Sequence, residues 1–217
     1  MNIGKAPELR TATLILLPFV LVGLLAGCQT DRPTRDLPEP VVPRNVEDPW
    51  RQDLSRFERE LPKRHYDLFH QLSQQEFTAM VEELNRQAPE LSAAEFDIEL
   101  RKILAKIGDS HTNLSWQPEA LYPYTFLAVE EGIVVAATRE AQVESLGMRL
   151  VAIDGVTIDE VRDRMATIIP HENEAALTNS FVHFILSPEF LYHLGIAQSP
   201  GEAEFTFADY QGGQFSI

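Results

Sequence analysis

A chain of 217 residues, 44% of them hydrophobic, is long enough for one full domain or two small ones with a real core. Its 33 acidic against 18 basic residues leave a formal net charge of -15, which excludes the dense basic surface that a nucleic-acid partner requires. A single cysteine excludes an internal disulfide. The six histidines are too scattered to form a closely spaced ligand set, so neither metal nor cofactor is expected.

Lys5 and Arg10 precede a short apolar run, Thr13 to Ala26. This is the pattern of a signal peptide, with an uncleaved membrane anchor as the other reading. At its end Leu25-Ala26-Gly27-Cys28 resembles the lipobox of bacterial lipoproteins, in which the Cys becomes the lipidated N-terminus. The resemblance implies removal of residues 1–27 and acylation of Cys28. Gln29, rather than Asp, then implies the inner leaflet of the outer membrane, with the body facing the periplasm; several acyl chains hold stably where one is marginal. Residues 28–49 contain Pro33, Pro38, Pro40, Pro43 and Pro49 and read as an extended spacer.

From Trp50 the period becomes helical. Trp50, Leu54, Phe57 and Leu61 make one apolar face, which Pro62 is expected to interrupt. Tyr66, Leu68 and Phe69 read as core filling. Then L-S-x-x-E-F occurs twice, at Leu72–Phe77 and Leu91–Phe96, nineteen residues apart. Each copy is a capping box, with Ser and Glu exchanging backbone hydrogen bonds and the flanking Leu and Phe placed for a hydrophobic staple. Phe77, Val81 and Leu84 line the first helix; Phe96, Leu100, Ile103, Leu104 and Ile107 line the second. Pro89 separates them and Gly108 ends the second. Two copies make a helical hairpin serving as a cap rather than a solenoid.

Beyond the helices the period shortens. Leu121–Leu127 and Gly132–Ala137 read as strands joined at Glu130-Glu131-Gly132, and Leu150–Ile153 as another, turned by Asp154-Gly155. Asp159 is expected to cap a helix to about Ile169 with Val161, Met165 and Ile168 inward. Another helix is expected over Glu172–Leu186, weakened by Asn173, Thr178 and Asn179, and Pro188 is expected to reopen the chain before a short helical turn, Phe190–His193. Glu204–Ala208 alternates like a strand, and Gln214–Ile217 returns from a turn at Asp209–Gly213. Two strands alone are marginal and require more sheet or a covering helix.

The helical segment and the strands meet at Gly108-Asp109-Ser110-His111-Thr112. A His beside Asp and Ser on a loop after a helix end is a candidate for chemistry, although spacing alone favours a hydrogen-bonded structural residue in a turn.

Several strings, in order, resemble the N-terminal half of the S41 peptidases, the C-terminal processing or tail-specific proteases related to tricorn. They are Tyr66-Asp67-Leu68-Phe69, Ser73-x-x-Glu76-Phe77, Gly108–Thr112, Gly132–Val135, Leu150–Gly155 and Glu172-Asn173. The resemblance implies an α+β chain: a helical N-terminal cap domain over residues 50–115, a PDZ-like β/α module over 116–170, and, over 171–217, a helical connector with the start of a truncated, crotonase-like α/β peptidase core. It further implies His111 as general base, with Ser110 orienting its ring. A PDZ-like module implies an extended or C-terminal peptide as partner, added to a strand edge; which residues would bind it, and the oligomeric state, the sequence leaves unassigned. The family's nucleophilic Ser and oxyanion hole belong to a later core. Ser145, Ser180, Ser187, Ser199 and Ser216 lack the glycine-flanked setting of a nucleophile elbow and fit surface or capping roles. Three readings stay open: part of a serine-type peptidase lipoprotein inactive alone, a non-enzymatic peptide-binding adaptor, and a structural envelope lipoprotein.

Overall fold

The structure, a computed structural model, describes residues 49–217; the signal-peptide, Cys28 and spacer expectations for residues 1–48 lie outside the described residues. Three helices come first: α1 (Pro49–Arg64), α2 (Gln74–Gln87) and α3 (Ala93–Ile107), with a 3-10 turn over Ala88–Glu90. Both capping boxes form. Ser73 accepts from the Glu76 N–H while Glu76 takes the Ser73 N–H at 2.8 Å, and Ser92 and Glu95 repeat the exchange. Gly108 closes α3 in the left-handed conformation, φ 73°, which costs an L side chain about 1–2 kcal/mol. A Cβ there would also run into the Gln71 carboxamide.

Two expectations in this region are corrected. Pro62 does not stop α1, which continues to Arg64; a proline in the last turn forfeits one hydrogen bond but keeps a helical φ. Likewise Pro49, counted as spacer, opens the helix, where no N–H is needed. Tyr66 is not core filling but fully exposed, while Leu68 is buried and Phe69 packs beside it. Leu54, Leu68, Leu72, Phe77, Val81, Leu84, Ile103, Leu104 and Ile107 form the first core.

The rest is one antiparallel sheet with helices. Strands β1 (Tyr124–Val129), β2 (Gly132–Thr138), β3 (Arg149–Ile153), β5 (Phe205–Ala208) and β6 (Gln214–Ser216) lie in the order β1-β2-β3-β5-β6, and the short β4 (Val156–Thr157) also pairs with β3. The β3–β4 hairpin closes through Asp154 and Gly155, both at positive φ. The Asp154 carboxylate accepts the N–H groups of Gln198 and Glu204 at 2.9 and 2.6 Å, which fastens the loop leading into β5. Because β5 pairs with β3, the terminal hairpin joins the sheet that was expected to end by residue 170. That pairing supplies the extra sheet two isolated strands would lack.

Several boundaries move for local reasons. β1 begins at Tyr124 instead of Leu121, which is exposed. The cap of α4 (Ile158–Ala166) is Thr157, not Asp159, since the Thr157 hydroxyl takes the Glu160 N–H; the helix ends before Ile168 and Ile169, which stay buried. Asn173, expected to weaken a helix, starts α5 (Glu174–Phe184) by accepting from the Ala176 N–H at 2.9 Å. Pro188 opens α6 (Pro188–His193) behind the Ser187 cap. Phe126, Leu150, Val161, Met165, Phe181, Phe190, Phe205 and Phe207 are among the residues of the second core.

Candidate active site

The loop after α3 is held by one carboxylate. Asp109 Oδ2 accepts from the Thr112 hydroxyl at 2.7 Å and from His65 Nε2 at 3.0 Å. Its other oxygen, Oδ1, accepts the His111 N–H at 3.0 Å and stands 3.4 Å from His111 Nδ1. The Thr112 hydroxyl above all, then the His111 N–H and the His65 and His111 rings, outweigh burial and hold the Asp109 carboxyl down at about 2. Asp109 therefore stays ionised at neutral pH beside the His111 ring.

His111 itself faces solvent, its side chain 92% exposed. With Nδ1 toward a carboxylate, its Nε2 is the open nitrogen, the disposition a general base requires. Among the described residues no hydroxyl or thiol is hydrogen-bonded to that ring. Ser110, expected to orient it, instead gives its N–H to Glu172 Oε2 at 3.2 Å. The Ser110 hydroxyl is the main influence lowering the Glu172 carboxyl below its usual range. The group beside the imidazole is thus Asp109, and Ser110 ties the loop to the segment before α5.

Next to Ser110 a cavity of about 200 Å³ runs between the loop and α5, walled by Asn113, Leu114, Trp116, Ile169 and Phe184. Two of the other serines have structural roles. Ser145 is fully buried, against its expected surface or capping role, and donates to the Gln142 carbonyl at 2.7 Å; Ser187 caps α6. Among the described residues no group of three or more His, Cys, Asp or Glu could hold a metal ion, and no helix is long and apolar enough to cross a membrane.

A second feature lies at the sheet's edge. Among the described residues β1 pairs with β2 alone, and residues of β1 and α5 line a groove of about 630 Å³. Phe126 and Val182 form an apolar floor, and Glu174, Thr178, Asn179 and His183 supply polar groups. An edge strand facing a helix across a groove is the geometry that admits an added strand.

No family profile and no curated protein matches this chain. Solved structures do. The chain resembles mature CPAF complexed with lactacystin, with 19% identity and a TM-score of 0.59 over 77% of this chain and 33% of that one. Mature CPAF itself, at 19% identity and TM-score 0.56, and a serine-to-alanine mutant of CPAF, at 20% and 0.54, align over the same 77% of this chain. At such identities the likeness is one of fold. It is a mixed α/β architecture with a helical region and an antiparallel sheet consistent with a PDZ-like module. This chain spans about a third of the length of those structures.

Two residues of the site, His65 and Glu172, escaped the sequence reading as candidates. Each adjoins or belongs to a string that carried the family resemblance, Tyr66–Phe69 and Glu172-Asn173. Composition offers no other signal, because their partners lie 44 and 62 residues away.

Proposed function

We propose that this chain supplies the general base and the peptide-receiving groove of an S41-like serine-type peptidase, anchored in the cell envelope through acylated Cys28. The observation that carries the reading is the exposed His111 imidazole set against the ionised Asp109 carboxylate. His111 Nε2 takes the proton of a serine hydroxyl as its oxygen attacks the scissile carbonyl, and returns it to the leaving amine. The nucleophile and oxyanion donors come from polypeptide outside these 217 residues.

The test uses the protein recovered from its own envelope fraction. A fluorophosphonate probe should label a serine outside this sequence, and both labelling and casein hydrolysis should vanish in His111→Ala, while residues 28–217 alone leave casein intact. Labelling of a serine within this chain, or hydrolysis indifferent to His111→Ala, sinks the reading. Mass spectrometry should find acyl groups on Cys28 as the first residue.

The open groove beside β1 favours a second reading, a peptide-binding adaptor without catalysis. Calorimetric titration with apolar C-terminal peptides should then give affinities on the order of micromolar, about -8 kcal/mol, in His111→Ala as in the wild type.

A further inference from the structure

We propose that His65 is a positioning residue, which orients Asp109 and through it the His111 ring, so that the base-bearing loop takes its geometry from the end of α1. The catalytic meaning of this inference rests on the peptidase reading; the positioning itself does not.

His65 directly follows α1, and its N–H still bonds the Leu61 carbonyl at 2.9 Å, so the side chain starts from a fixed backbone. The ring is nearly enclosed, with 10% of the side chain exposed. Both nitrogens are committed. The Asp67 N–H donates to Nδ1 at 3.0 Å, so Nδ1 must be the acceptor and the proton that meets Asp109 Oδ2 is carried on Nε2. A ring bonded at both nitrogens cannot flip or exchange tautomers without losing a bond.

The consequence appears at Asp109. His65 and Thr112 both bond Oδ2, which turns Oδ1 toward the His111 N–H and ring. Without His65 the carboxylate keeps two donors, the Thr112 hydroxyl on Oδ2 and the His111 N–H on Oδ1, both on its own loop and within three residues of it. His65 adds a donor from a different element, 44 residues distant, and so ties the carboxylate to the end of α1, where the other two donors move with the loop itself. The same ring is among the donors that hold the Asp109 carboxyl low.

The experiment compares the full chain with His65→Gln, His65→Asn and His65→Phe. The Gln amide nitrogen reaches the place of Nε2, the Asn amide only that of Nδ1, and Phe fills the space without a donor. Carboxylate-carbon NMR should show Asp109 titrating at a higher pH in the Phe and Asn variants than in the wild type, with Gln, which keeps the donor without the charge, in between. Backbone amide signals of α2 and α3 should be unchanged in all three. An Asp109 titration untouched in a folded Phe variant overturns the proposal. Should Phe fail to fold, the Asn and Gln pair decides, since equal titrations in those two overturn it as well. In the envelope protein, His65→Phe should lower kcat with KM kept, and Gln should restore it. The NMR arm needs neither substrate nor nucleophile. Its failure is therefore separate from that of the peptidase reading, which falls if His111→Ala leaves hydrolysis unchanged.

Discussion

The helical region and the sheet region are built on different ranges of interaction, and α3 belongs to both. In the helical region α2 and α3 each carry their own cap and apolar face. In the sheet region the central strand β3 is completed by β5, across some fifty residues of intervening chain. One face of α3 sends Ile103, Leu104 and Ile107 into the first core, while Ile98 joins the second. Arg101 accompanies Ile98. It is 2% exposed, paired with Asp97 at 2.6 Å, and its guanidinium lies 5.0 Å from the Phe190 ring centre. The candidate base loop hangs from the end of this shared helix, tied to one region by His65 and to the other by Glu172. A locally determined scaffold thus delivers a loop whose surroundings are set non-locally.

The strongest way to break this picture is to empty each core in turn. Phe77→Ala and Phe205→Ala should each cost about 3–5 kcal/mol. Because α3 packs in both cores, both should shift one common urea transition. Trp50, stacked on Phe96, and Trp116, against Phe184 and Phe190, report the two regions separately. Two transitions seen by single-tryptophan variants would refute the coupling.

Removing the buried arginine of the shared helix is the next test. Arg101→Ala leaves Asp97 without its partner and strips a buried stem from the aromatic rings, at a cost of about 3 kcal/mol. The Asp97 side chain is 32% exposed, which lets water relieve part of that loss. Arg101→Met keeps the stem without the charge and should recover most of the stability, read from the urea midpoint.

Acid addresses the loop rather than the cores. The Asp109 carboxyl is lowered from 3.8 to about 2, first by the Thr112 hydroxyl. A depressed folded pKa means stability that is fully present above the unfolded value and lost as pH falls through the folded one. Stability on the order of 1–2 kcal/mol should therefore disappear between about pH 4 and pH 2. Denaturation of Asp109→Asn should lack that component of the pH slope.

The smallest effects sharpen the claim that the helical region is locally written. Ser73→Ala and Ser92→Ala should each cost about 1 kcal/mol, and the double variant about 2, because the two caps share no partner. Clear non-additivity in thermal unfolding would show that the helices' starts depend on each other.

The twin L-S-x-x-E-F strings, Gly108 and the 3.6-residue period disclosed α2, α3 and their junction with the loop before any fold was known. Asp154-Gly155 disclosed its hairpin for the same reason, since short-range backbone chemistry acts on neighbours. Where the reading of local signals slipped, a competing local group had won: the Thr157 hydroxyl over Asp159, and the Asn173 side chain as a cap in place of a weak helical residue. His111 was legible as a candidate, and the structure adds the Asp109 carboxylate 3.4 Å from its Nδ1.

The sequence by itself determined α2 and α3 with their capping boxes, the Asp154-Gly155 turn and the loop that presents His111, because hydrogen bonds between residues a few positions apart need no knowledge of the fold. Only the tertiary structure decided that β5 and β6 extend the sheet of β3. It also decided that β1 is left, among the described residues, as an edge beside α5, that Arg101 is buried between two cores, and that His65 and Glu172 reach the loop that carries His111. Those contacts join residues tens of positions apart. They depend on which faces pack together, and a strand or a histidine carries the same local signal whatever partner the packing finally gives it.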